Sequence, residues 1–171
     1  MSPEFHSPHK LEYAFLSTSI DLKSFDCGDE DLNDFIKTDA LGYHQKGFAK
    51  TTCVFFDKKL IGFYSLAADA LTLETKEKKG KLEDNLKKYP AIKLARMAFI
   101  KEMQRQGLGG LVVEIIKGFA IDLNQKGLGV RFVTVDAYPA KVDFYKHCGF
   151  VANDGRSKTS PTISMRCDIY K

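Results

Sequence analysis

Seven consecutive residues, Gln104-Arg105-Gln106-Gly107-Leu108-Gly109-Gly110, place three glycines at the head of an apolar run, "LVVEIIKGFAIDL". The first N–H groups of a helix have no intrahelical partner and lie at the positive end of its dipole. Glycines at that point let an anion approach the backbone without meeting a Cβ. Between a strand and a helix, such a cluster is a candidate pyrophosphate cradle; the same glycines would also serve a tight turn with no chemical role. Two common phosphate loops are excluded by spacing. No Lys-Ser/Thr follows, as a Walker loop requires, and Val112 stands where a dinucleotide fingerprint needs its third glycine. A second Gly-Leu-Gly, Gly127 to Gly129, follows a helical run and precedes a strand, so it reads as a helix cap and turn.

Few other side chains are candidates for chemistry. Tyr145, within "FYKHCGF", offers a phenol that is protonated at neutral pH and can give a proton to a leaving group. The competing reading is a packing residue whose hydroxyl bonds the backbone. Asp136, at a strand end, is a candidate base or a turn residue. His44 is a further candidate, while His147 precedes a helix-ending glycine, where a cation suits the dipole. Arg96, inside an apolar strand, requires a partner or an open cleft. Cys27, Cys53, Cys148 and Cys167 are scattered, with no Cys-x-x-Cys pair, so free, mostly buried thiols and no metal are expected. Lys76, Lys78, Lys79, Lys81, Lys87 and Lys88 could contact an RNA backbone, although Glu77, Glu83 and Asp84 interrupt them as on an ordinary solvated face.

The elements that must position these groups can be read from apolar pattern and turn residues. A first strand spans Leu11 to Ser17. A helix follows, capped near Asp29, with acids in its first turn and Leu32, Phe35 and Ile36 on its apolar face. A hairpin is expected with a strand to Phe56, a turn at Asp57-Lys58-Lys59 and a strand to Ala67. The lysine-rich stretch from Thr75 to Lys88 reads as a solvated excursion or a short exposed helix. Ala91 to Ile100 reads as a buried central strand. A helix with Leu111, Ile115 and Phe119 on one stripe comes next, then a strand from Val130 to Ala137. A short helix ending at Gly149 and a last strand within "PTISMRCDIY" complete the order β-α-β-β-(loop)-β-α-β-α-β, a mixed α/β domain.

The totals are those of a soluble globular chain: 171 residues, 44% hydrophobic, 28% charged and a net charge of +4. One domain, residues 11–171, is expected behind an N-terminal extension, residues 1–10, read in part as a cloning remnant. No apolar run approaches the roughly 20 residues of a membrane span, and the start of the chain has no signal pattern. The expected location is the cytoplasm.

Taken with its position, Gln104-x-x-Gly107-x-Gly109 resembles the Gln/Arg-x-x-Gly-x-Gly/Ala signature of the GCN5-related N-acetyltransferases (GNAT superfamily). "FYKHCGF" resembles that superfamily's Phe-Tyr-x-x-x-Gly-Phe, and the resemblance spans about Leu11 to Tyr170. It implies a mixed, mostly antiparallel central sheet with helices on both faces and a splayed central strand pair. It also implies acetyl-coenzyme A as co-substrate. Main-chain groups of Met97, Ala98 and Phe99 would hold the pantetheine arm, and Gln104, Arg105, Gln106, Gly107, Leu108, Gly109 and Gly110 the phosphates. Tyr145 would act as general acid to the sulfur.

A narrower similarity, in "FDCGDEDLNDFI", "GFYSLAA" and "LARMAF…QRQGLGG", is to the acetyltransferase toxins of bacterial toxin–antitoxin pairs. It implies aminoacyl-tRNA as acceptor, a ribbon-helix-helix antitoxin as partner and a homodimer. Asp136 stands where those toxins often carry His. An α-amine, with pKa about 7.7–8.0, needs less help from a base than a lysine near 10.4, which fits an α-amino acceptor. The alternatives are a GNAT enzyme acting on a small-molecule amine or a protein or peptide amine, and a coenzyme A-binding sensor.

Overall fold

A computed structural model describes residues 11–78, 82, 86–154 and 160–170. Seven strands form one sheet: β1 (Leu11–Phe15), β2 (Lys50–Phe56), β3 (Lys59–Leu71), β4 (Tyr89–Phe99), β5 (Phe132–Ala137), β6 (Val151–Ala152) and β7 (Ile163–Asp168). Their hydrogen-bonded order is β1-β2-β3-β4-β5-β7-β6. Pairing is antiparallel for β1–β2, β2–β3, β5–β7 and β6–β7, and parallel for β4–β5. The helices are α1 (Glu30–Asp34), α2 (Ala40–Lys46), α3 (Thr75–Lys78), α4 (Leu108–Gln125) and α5 (Val142–His147), with a π-type turn at Phe35–Asp39 between the first two. The result is the mixed, mostly antiparallel fold that the sequence resemblance implies. By contacts the chain divides into two compact units, Met1–Ala67 with Ala95–Val112, and Ala68–Leu94 with Val113–Lys171.

In the first unit, β1, β2 and the first part of β3 form an antiparallel meander. The hairpin turn at Asp57 and Lys58 has φ of 48° and 65°, the left-handed pair that matches strand twist in a two-residue loop. The Asp29 side chain caps α1 by accepting from Leu32 N at 3.1 Å. Phe35 and Ile36 are buried, and Phe25 packs edge-on against Phe63 with centroids 5.5 Å apart. Each such buried side chain contributes roughly 1.5–3 kcal/mol. Gly47, at φ 75°, closes α2 in the left-handed conformation that an L side chain resists.

In the second unit, β5 is buried on both faces rather than alternating, because a parallel neighbour and an antiparallel one lie beside it under packed elements. Leu71, Leu73, Tyr89, Ala91 and Phe132 form its apolar cluster, with Leu82 packed against it. The Lys-rich stretch yields α3, while Lys79, Lys81, Glu83 and Asp84 lie outside the described residues. Glu77 of α3 is not solvated as the charge run implied. Its Oε1 accepts from Arg166 at 2.5 Å and from Asp154 N at 3.1 Å, and its side chain is only 4% exposed.

Several expectations need correction: β1 ends at Phe15 rather than Ser17, Lys59 opens β3 rather than belonging to the turn, β4 spans Tyr89–Phe99, and β5 starts at Phe132. β3 continues four residues past Ala67, to Leu71. A two-residue strand, β6, precedes β7 and pairs with it. The buried face of α4 is Leu108, Val112, Val113, Ile116 and Ala120, whereas Leu111 and Ile115 are half-buried and Phe119 is exposed. Both stripes are apolar at helical spacing, so the sequence pattern could not rank them. The second Gly-Leu-Gly is a helix cap: Gly127 has φ 97° and Leu128 N donates to Leu123 O at 2.9 Å.

Candidate active site

The register of β4 with β5 runs from Ala91↔Phe132 to Leu94↔Val135 and ends there, so Ala95 to Phe99 continue as a strand without a β5 partner in register. Ile100 N donates to Ile61 O on β3 at 2.9 Å. Main-chain groups alternate sides along an extended strand, so the N–H groups of Phe99 and Met97 face away from β3. The carbonyl of Phe99 agrees, since it accepts from the Gln104 side chain at 2.8 Å. By the same alternation the main-chain groups of Ala98 turn towards β3, where Ala98 O lies 2.8 Å from a Cβ position at Gly62, unlike those of Met97 and Phe99.

The loop after β4 is braced from within. Gln104 Nε2 donates to Phe99 O and, at 2.7 Å, to Cys27 O. Both of its protons are thereby used, so the side chain positions the loop instead of reaching an anion. Gln106 Nε2 donates to Glu102 O at 2.8 Å. Lys101, in the short turn before the loop, pairs with Asp26 at 2.6 Å. Asp26 also accepts from Gly28 N and Asn33 Nδ2, and these bonds, led by that to Lys101, hold its carboxyl well below the usual range.

Arg105 has φ 60° and Gly107 φ 81°. These left-handed turns swing the chain into α4, whose first i→i−4 bond is Leu111 N to Gly107 O at 3.1 Å. The amides of Leu108, Gly109 and Gly110 thus fall in the first turn, where no helical partner exists. A Cβ built at Gly107 or Gly110 would meet nothing within 4 Å, so the chain is uncrowded at these two positions. The arrangement fits a pyrophosphate.

Gly62 on β3 is a residue that sequence reasoning missed. A Cβ there would lie 2.4 Å from Phe99 Cδ1 and 2.8 Å from Ala98 O. Only glycine lets β3 run this close to the last residues of β4. The one signal for it was a glycine inside an otherwise continuous apolar strand, "LIGFYSL".

In the second unit, Tyr145 of α5 is 9% exposed, with Phe144 and Phe150 packed edge-on against its ring at 4.9 and 5.4 Å. Its hydroxyl has no hydrogen-bond partner among the described residues, yet it is not among their sealed, unpartnered polar atoms. The ring is packed, and no backbone partner of the hydroxyl is found among the described residues. Burial, and next to it the Cys148 thiol, pushes the phenol up to about 12. Gly149, at φ 87°, ends the helix, with Phe150 N donating to Tyr145 O at 3.0 Å.

The remaining candidates take other parts. Asp136 forms an ion pair with Lys93 across the β4–β5 ladder, so its carboxylate is engaged and neither a turn residue nor a free base. His44 Nδ1 accepts from Thr51 N at 3.1 Å, and burial, then Lys50, lowers its pKa. His147 Nδ1 lies 2.6 Å from Asp143 O within its own helix. Arg96 is exposed and lies over the Phe35 ring at 5.4 Å. Among the described residues no three His, Cys, Asp or Glu side chains cluster as a metal site would need. No helix among them is long and apolar enough to cross a membrane.

No family model matches the chain. A curated relative, the tRNA-acetylating toxin of Mycobacterium tuberculosis, is 27% identical over 137 residues, 79% of this chain and 81% of its own. Among solved structures, AtaT complexed with acetyl-methionyl-tRNAfMet superposes with a TM-score of 0.74 at 23% identity, covering 94% of this chain and 95% of that one. AtaTR bound with AcCoA gives a TM-score of 0.69 at 21% identity, covering 92% and 94%. The chain therefore has the fold of these toxins, and along about four-fifths of its length its sequence resembles that of a tRNA-acetylating toxin.

Proposed function

We propose that this chain is an acetyl-CoA-dependent N-acetyltransferase of the toxin type, acting on the α-amino group of aminoacyl-tRNA. The observation that carries the reading is the segment from Met97 to Gly110. A strand whose β5 register ends at Leu94 runs into a loop with left-handed turns and then into a helix whose first-turn amides lack intrahelical partners, with uncrowded Cβ positions at Gly107 and Gly110. Acetyl-CoA supplies a thioester carbonyl for an amine to attack. The amides of Leu108, Gly109 and Gly110 would hold its phosphates, with Arg105 and Gln106 at the loop's edge. Main-chain groups of Met97 and Phe99 would align the arm, with Ala98 between them held towards β3, and the Phe99 N–H is the donor directed to polarise a carbonyl.

Tyr145 holds the proton for the departing sulfur. A phenol raised to about 12 by burial is fully protonated at neutral pH, so the donor is always loaded. Such a phenolate is too basic to persist, so Tyr145 must regain a proton in the same event, and the acceptor nitrogen has one to give. This makes a separate strong base unnecessary, in keeping with the engagement of Asp136 by Lys93. A ribbon-helix-helix antitoxin, a homodimeric state and a cytoplasmic location belong to the same reading.

The reading is tested by titrating acetyl-CoA into the wild type and into Gly107→Glu. Binding to the first and its loss in the second, where a carboxylate meets the phosphates, are expected. Equal binding would remove the cradle from the account.

A further inference from the structure

An aromatic series in the first unit leads away from the proposed acetyl-transfer strand. Arg96 of β4, one residue before Met97, lies over Phe35. The Phe35 ring meets Tyr43 edge-on at 6.0 Å, and Tyr43 meets Phe48 at 5.9 Å. Beside them Phe15 meets His44 at 5.5 Å. The inner ring is buried, while Tyr43, Phe48 and Phe15 are 45%, 64% and 67% exposed. The Tyr43–Phe48 contact accompanies the helix cap, in which Phe48 N donates to Tyr43 O at 3.0 Å. That contact leaves most of both rings uncovered, so capping does not account for two large exposed aromatics.

Charge selects the occupant. The seventeen residues from Ala40 to Phe56 contain no acid and carry His44, Lys46 and Lys50 among the aromatics. Lys50 Nζ is fixed on His44 O at 2.8 Å. Glu12 is on β1, but it alternates to the strand face opposite Tyr13 and Phe15. Asp39, before α2, accepts from the Thr38 hydroxyl and keeps its charge, against the two cations of Lys46 and Lys50. Rings for stacking, with cations in excess over acids, form a surface for a single-stranded polyanion.

We infer that Tyr43, Phe48 and Phe15, with Lys46 and Lys50, form a stacking surface for the unpaired 3′ end of an RNA acceptor, leading its aminoacylated terminus towards Arg96 and the β4 edge. The inference rests on the acceptor reading above and adds to it the residues that engage the strand. Arg96, at the inner end of the series, meets the last phosphate.

The test is fluorescence anisotropy with two 5′-labelled RNA hairpins, one carrying a four-nucleotide single-stranded 3′ end and one blunt. The wild type binds the overhang more tightly. Phe48→Ala and Tyr43→Ala each weaken overhang binding roughly 5- to 150-fold and leave the blunt hairpin unchanged, while Phe48→Tyr retains it. Equal overhang affinity in the alanine variants overturns the inference, as does a change of oligomeric state in light scattering with RNA affinity intact, which would make the face a protein interface. With charged tRNA as acceptor, the alanine variants raise KM; labelling of charged tRNA with KM unchanged defeats this inference alone. If the wild type binds the overhang but acetylates only free amines, the acceptor reading falls and the surface stands as an RNA site.

Discussion

Gln104 Nε2 donates to the carbonyl of Phe99 at 2.8 Å, tying the start of the glycine loop to the last residue of β4. With its second bond, to Cys27 O, one side chain fixes the strand end, the loop and the segment before α1. Gln104→Ala removes both bonds and is expected to cost about 1–3 kcal/mol in urea unfolding. It should also weaken acetyl-CoA binding more than a comparable loss of stability elsewhere. Gln104→Glu should be worse, since a carboxylate would face two carbonyls. Cofactor affinity unchanged in both variants would show that the brace is dispensable.

The close approach of β3 to β4 gives a second expectation. Gly62→Ala would put a methyl 2.4 Å from Phe99 Cδ1 and 2.8 Å from Ala98 O. The strands must part or the ring must move, at a cost of about 1–3 kcal/mol. Displacement of Ala98 and Phe99 should reduce kcat/KM beyond what the folded fraction explains. Wild-type turnover in the folded variant would separate β3 spacing from activity.

Tyr145 predicts both a kinetic and a pH effect. Tyr145→Phe should keep acetyl-CoA binding and lose kcat by roughly 10²–10⁴-fold, the usual range for a positioned acid. Its folded pKa is about 12 against 10.0 unfolded. The folded state therefore holds the proton more tightly, so this stabilisation is complete below pH 10 and is lost as pH rises through 12. The expected contribution is about 2–3 kcal/mol. Denaturant melts from pH 9 to 12 should fall less steeply for Tyr145→Phe than for the wild type; parallel curves would contradict the burial argument. Cys53, raised by burial from 9.0 to about 11, adds a limb of the same sign that both proteins share.

Two neighbouring charges in α3 should behave oppositely. Glu77 is buried against Arg166, and Glu77→Ala strands that guanidinium, a loss of about 3–5 kcal/mol. Lys76 pairs with Asp154 at 3.2 Å in the open, and Lys76→Ala should change stability by less than about 1 kcal/mol. Thermal melts of the two variants decide it, and equal shifts would refute the buried pair's role.

How far the sequence could be read depended on whether the deciding contact was local. The Asp29 cap, the hairpin turn at Asp57 and Lys58, and the left-handed Gly107 and Gly127 all follow from residue type and near neighbours, and all are found in the fold. Glu77 and Arg166 are 89 positions apart, and nothing in "TKEKK" marks one acid as buried while the lysines around it are solvated. The two stripes of α4 are equally apolar, and only packing tells Val112 and Ile116 from Ile115 and Phe119. Tyr145 could be picked out by its motif, but the burial of its ring between Phe144 and Phe150 is a tertiary fact. Asp136 was seen without its partner, because Lys93 lies on another strand.

The acceptor is the central claim, and transfer of labelled acetyl groups tests it most directly. Wild-type protein would be given labelled acetyl-CoA, charged tRNA, uncharged tRNA and a pool of free amines together. The account predicts label on the aminoacyl group of charged tRNA, little on free amines and none in Gly107→Glu. Label on free amines alone, with charged tRNA untouched, would contradict it.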